Sequence, residues 1–159
     1  MKFALFNDRK STVSKLIRWF SWCGTNGFSH AAFVFEDGVV YESKEFIGVR
    51  RIEAIHLTME PGETYTLFEV QTTPHQDRLL REWLDSIIAA KWQYDYWGIL
   101  GFIFHWKERK HNRVFCSALV KLGLEKVGVD LFPGLPHWKV CPELLAHCAI
   151  AHRDGGGYL

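Results

Sequence analysis

Apolar residues change their period along this chain, and the change divides it into elements. Lys2 to Phe6 reads as a short strand, after which Val13, Leu16, Ile17 and Phe20 recur at i, i+3, i+4 and i+7. That spacing predicts an amphipathic helix opened by Ser11 or Thr12. Cys23-Gly24-Thr25-Asn26-Gly27 breaks it. The pattern then becomes strand-like over Ser29 to Phe35, Val39 to Ser43, Ile47 to Ile52 and Thr64 to Val70, with turns expected at Asp37-Gly38 and Pro61-Gly62.

Helical spacing returns after Val70. Thr73 and Gln76 form a capping-box pair, Pro74 suits the first helical position, and the apolar stripe runs Leu79, Leu80, Trp83, Leu84, Ile87, Ile88. Tyr94 to Phe104 reads as partly helical, weakened by Gly98 and Gly101, and Lys107 to Arg113 as a solvated connector. A further helix carries the stripe Cys116, Val120, Leu124, Val127, and Pro142 opens a last short one. Gly155-Gly156-Gly157 predicts a frayed tail over 153–159. With no internal repeat and no linker, residues 1–159 read as a single α+β domain.

Composition narrows the function classes. A chain of 159 residues is long enough for one full core. Its 19 basic and 18 acidic side chains make no case for a nucleic-acid partner. The 12 Phe, 7 Trp and 5 Tyr suit a dense core beside an aromatic cleft, or equally an interface. The N-terminus turns polar too early for a signal-peptide core, which favours a cytoplasmic protein with reduced thiols; a virion or prophage origin stays open. The apolar run Trp97 to Phe104 is too short to span a bilayer, so no stable membrane insertion is expected. Cys23, Cys141, Cys148, His147 and His152 are candidate metal ligands by residue type, but no pair has tight ligand spacing, so neither metal nor cofactor is expected.

Cys116 lies where an apolar run passes into a helical pattern. A thiol at a helix N-terminus meets the positive end of the helix dipole and free backbone N–H groups, and both favour the nucleophilic thiolate. Far upstream, His30 is the one imidazole on a strand-like, apolar stretch. A Cys and a His brought together from separate elements are the minimum equipment for covalent acyl transfer. A third polar group is usually needed to hold the imidazole, and Glu42 on the next strand is the candidate. Its facing depends on hairpin register. A two-residue Asp37-Gly38 loop pairs Glu42 with Phe33 and turns it away. A three-residue Glu36-Asp37-Gly38 loop pairs Ala32 with Glu42 and makes His30 and Glu42 diagonal neighbours, with Gly38 supplying the left-handed position that loop needs.

The order of these segments resembles a known family. Ser29-His30, Tyr41-Glu42, Tyr94-Asp95-Tyr96-Trp97-Gly98, Phe115-Cys116-Ser117-Ala118-Leu119-Val120 and Cys141-Pro142-Glu143-Leu144-Leu145 are similar to circularly permuted NlpC-type papain-like cysteine peptidases and amidases, the YiiX-like branch. The similarity covers roughly residues 25–146 and rests on order and spacing rather than on any single motif. It implies a permuted papain-like fold, an antiparallel sheet or small barrel packed against helices, with the nucleophile at a helix N-terminus. It further implies Cys116 as nucleophile, His30 as base, Glu42 as the residue orienting His30, and Tyr94 and Tyr96 lining the cleft.

Two positions depart from the family. Cys141 stands where Ser or Thr is frequent, and Ser117-Ala118 lacks the His that follows the cysteine in lipid-modifying relatives. The second departure favours hydrolysis over phospholipid acyl transfer. The expected function is therefore a cysteine amidase or endopeptidase acting on a peptide or small amide, a peptidoglycan fragment among the candidates. Two alternatives stay open at this stage: a thioesterase, lipid acyl hydrolase or acyltransferase of the same fold, and a non-catalytic binding or virion-associated module.

Overall fold

The computed structural model describes residues 1–7, 27–96 and 112–158. The helix expected around Val13 to Phe20, Cys23, the Trp97 to Phe104 run and most of the Lys107 to Arg113 connector lie outside these residues. Within them the chain is α+β. A six-stranded antiparallel sheet is built from β1 (Lys2–Asn7), β2 (His30–Val34), β3 (Val40–Lys44), β4 (Gly48–Ile52), β5 (Thr64–Val70) and β8 (Ala151–Tyr158). Its order is β4-β3-β2-β1-β5-β8. Three helices accompany it: α1 (Pro74–Ala89), α2 (Cys116–Lys126) and α3 (Pro142–Ala146). β6 (Gln93–Tyr94) and β7 (Arg113–Val114) form a separate short parallel pair. Among the described residues, no helix is long and apolar enough to cross a membrane.

Strand alternation gives the sheet two unequal faces. Phe3, Leu5, Ala31, Phe33, Tyr41 and Val49 join Leu80, Leu84, Ile87, Leu119 and Leu124 in the main core under α1 and α2. Ala4, Phe6, Ala32 and Val40 form a smaller cluster with Met59 on the other face. β1 is buried on both sides and sits at the centre of the sheet, which is why its sequence is almost uninterruptedly apolar. Each fully buried Leu in the main core is worth about 1.5–3 kcal/mol of transfer free energy. α2 approaches β2 closely at Gly123, where a Cβ would stand 2.8 Å from the Phe33 ring and 2.9 Å from Leu80.

The capping box at α1 is present in full, with the Thr73 hydroxyl accepting from the Gln76 N–H and the Gln76 side chain accepting from the Thr73 N–H. Leu80, Leu84 and Ile87 of its stripe are buried, but Leu79, at the edge of the stripe, is 40% exposed. The β2–β3 hairpin has the three-residue loop. Phe35 N–H donates to the Val39 carbonyl at 2.9 Å, Ala32 pairs with Glu42, and Gly38 takes φ +83°.

At the start of the stretch expected to be partly helical, Tyr94 lies in β6, because its segment finds backbone partners in Arg113 and Val114. One expectation is corrected. The glycine-rich tail is not frayed over 153–158: Ala151–Tyr158 pairs with β5 along its length. Strand pairing needs only backbone donors and acceptors, and the missing side chains let the strand come close. A Cβ on Gly156 would lie 2.3 Å from the Tyr65 carbonyl oxygen, and one on Gly157 would lie 2.9 Å from the Tyr65 ring. An ion pair of 2.6 Å between Lys2 and Asp154 adds to the attachment.

Candidate active site

His30 is the first residue of β2, and Glu42 is central in β3. The Ala32–Glu42 register puts the two on one face as diagonal neighbours. His30 Nε2 lies 2.5 Å from Glu42 Oε2. Glu42 therefore takes up the Nε2–H, and Nδ1 is the ring nitrogen left for the other neighbour of His30, Cys116. The ring also packs on Phe6, its cross-strand partner, with centroids 5.5 Å apart.

Glu42 has no exposed surface. Its Oε2 also accepts from Thr58 Oγ1 at 2.7 Å, while Oε1 accepts from Arg50 Nε at 2.8 Å and from Arg50 Nη2 at 2.5 Å. Arg50 is the residue directly opposite Glu42 across the β3–β4 pair. Burial pushes the Glu42 carboxyl up, but the hydrogen bond and charge of His30, the Thr58 hydroxyl and the Arg50 charge outweigh it and bring it down to about 2. His30 shows the mirror effect. Burial favours its neutral form, yet hydrogen bonding to Cys116 and Glu42, with the charge on each, raises it to about 10. The imidazole is thus held between sulfur and carboxylate.

Cys116 is the first residue of α2, preceded by Phe115 in extended conformation with no side-chain cap. The opening amides of that helix have no partner inside it. Two bonds locate this end of α2. Ser43 Oγ donates to the Val114 carbonyl at 2.7 Å, tying β7 to β3, and Ser117 Oγ donates to the Val140 carbonyl at 2.6 Å. The Cys116 side chain belongs to the main core and has no exposed surface, and the His30 side chain is 13% exposed.

Tyr94 is brought to the same place, since it pairs with Val114 two residues before Cys116. Burial first, and then the charge of Cys116, raise its phenol well above the usual value. Tyr96 lies against it with rings tilted at 58° and centroids 5.0 Å apart, and its hydroxyl accepts from the Phe46 N–H at 2.7 Å. Tyr94 therefore borders Cys116, while Tyr96 extends from it toward the β3–β4 turn.

The remaining described cysteines have hydrogen-bonding roles at and beyond α3. Cys141 caps α3 by accepting from the Leu144 N–H, and Cys148 donates to the Leu131 carbonyl at 3.2 Å. Among the described residues, no three His, Cys, Asp or Glu side chains converge as a metal site. Arg50 and Thr58 complete the site beyond the three residues expected from the sequence. Arg50 had a signal, because extending the β3–β4 hairpin places it opposite Glu42; Thr58 had none, since it arrives through the irregular segment after the 3-10 helix Ile55–Leu57. No family model matches the chain, and no curated protein matches it.

Proposed function

We propose that the protein is a cysteine hydrolase of amide bonds, an amidase or endopeptidase, in the permuted papain-like arrangement that its segment order resembles. The observation that carries this reading is the placement of His30 between Cys116 and Glu42. Packing alone has no need of an imidazole gripped by a thiol on one side and a fully buried carboxylate on the other.

The chemistry follows from the order of the three groups. His30 holds the proton given up by Cys116, and the thiolate attacks the substrate carbonyl carbon to form a C–S bond. The negative oxygen is received by the free amides at the start of α2, the Cys116 N–H among them. The C–N bond then breaks, and the leaving amine takes the proton from His30. Water next attacks the thioester, passing a proton to His30; the C–S bond breaks and the thiolate returns. Glu42 keeps Nε2–H fixed throughout, so that Nδ1 faces the sulfur. Peptides and small amides, peptidoglycan fragments included, are the proposed substrates.

A second reading has its own support. Cys116 is fully buried, as a structural thiol would be, and the protein would then be a binding module. Intact-mass measurement after exposure to a panel of activated esters and amides separates the two. A single acyl adduct that disappears with time and is absent from Cys116→Ala supports the hydrolase; no adduct at any donor rejects it.

A further inference from the structure

The proposed chemistry asks something of Glu42 that His30 cannot supply by itself. Once the leaving amine has taken its proton, His30 is neutral, and Glu42 has lost one of the two cations bonded to it for the lifetime of the acyl-enzyme. A carboxylate without exposed surface and without a counter-charge binds a proton. Glu42 would then no longer present two accepting oxygens, and the hold on Nε2–H that aims Nδ1 at the incoming water would weaken.

Arg50 meets this need. Among the described residues, the side chains bonded to Glu42 are His30 from β2, Arg50 from β4 and Thr58 after the 3-10 helix. His30 and Thr58 share Oε2, while both Arg50 donors converge on Oε1. The guanidinium stays protonated through every step, unlike the imidazole. Its side chain is 30% exposed, so it keeps part of its own hydration while neutralising a group that has none.

We propose that Arg50 is a positioning residue for the second half of the reaction, keeping Glu42 ionised and aligned on His30 while the ring is neutral. This rests on the cysteine-hydrolase reading and adds to it a division of labour: His30 serves both half-reactions, and Arg50 matters most for release of the acyl group.

The test uses p-nitrophenyl acetate on the full chain, following nitrophenolate release by stopped flow and the acetyl adduct by intact mass across pH. Arg50→Gln is expected to acylate within about threefold of the wild-type rate but to lose its adduct about tenfold or more slowly, with the acid limb of adduct loss moved upward. Arg50→Lys, which keeps the charge, is expected to restore most of the rate. Equal slowing of both half-reactions, or unchanged adduct loss, overturns the proposal. Should Arg50→Gln not fold, the wild-type adduct decides: decay governed by one ionisation supports it, and a second, carboxylate ionisation above about pH 4 overturns it. A wild-type protein that forms no adduct on Cys116 sinks the hydrolase reading itself, which is a distinct result.

Discussion

His30 Nε2 and Glu42 Oε2 lie 2.5 Å apart, a charge-assisted contact between two strands whose register is set by one glycine turn. Its short length and the lack of exposed surface on Glu42 make it sensitive to loss of either partner. Glu42→Gln removes the charge while keeping the shape, and leaves Arg50 without its anion. Breaking a buried pair in this way costs about 3 kcal/mol, with the partial exposure of Arg50 pulling the figure to the low end of the usual range. Thermal or denaturant unfolding checks it, and a Glu42→Gln protein as stable as wild type would contradict the geometry.

The same pair imposes a pH window on stability. Glu42 is lowered from 4.5 to about 2 by folding, so its contribution is complete above 4.5 and is lost as pH falls toward 2. His30 is raised from 6.5 to about 10, so its contribution is complete below 6.5 and is lost as pH rises toward 10. Both are fully present between 4.5 and 6.5. The melting-temperature gap between wild type and Glu42→Gln is therefore expected to be widest there and to narrow on either side. A gap independent of pH would rule out the ion pair as its source.

Gly123 sets how closely α2 approaches the sheet. Alanine favours a helix over glycine by about 1 kcal/mol, which argues for stabilisation. The added Cβ, however, would sit 2.8 Å from the Phe33 ring, on a strand buried beneath the helix. Overpacking of this kind costs about 1–3 kcal/mol and pushes the helix outward. Gly123→Ala is expected to lower the melting temperature and slow acylation at Cys116; a rise in melting temperature would show that Phe33 yields easily.

Much of this was legible in the residues. The strands over Ser29 to Val70 follow from alternation, the start of α1 from Thr73, Pro74 and Gln76, and the face shared by His30 and Glu42 from Gly38 and the loop length it permits. What was not legible depended on partners that a local pattern does not name. Gly155 to Gly157 carry no side-chain signal for pairing, and become a strand because β5 presents an open edge. Nothing in the sequence near Tyr94 names Val114 as the strand partner its backbone takes. Thr58 reaches Glu42 through irregular chain that has no period to read.

Reactivity of the thiols provides the last prediction. Cys116, Cys141 and Cys148 are all buried, so exposure does not distinguish them. Chemistry does, because Cys116 has against it the His30 imidazole that Glu42 holds. Iodoacetamide is expected to modify Cys116 first, at a rate that reports both its opening to solvent and its nucleophilicity. His30→Ala should slow that reaction at neutral pH by roughly tenfold or more while leaving Cys141 and Cys148 unchanged. In denaturant the three sites should react alike, since the imidazole no longer accompanies one of them. Peptide mapping of the alkylated chain measures all three together. If Cys116 reacts no faster than Cys148 in the folded protein, and does not respond to loss of His30, it is a packing residue and not a nucleophile.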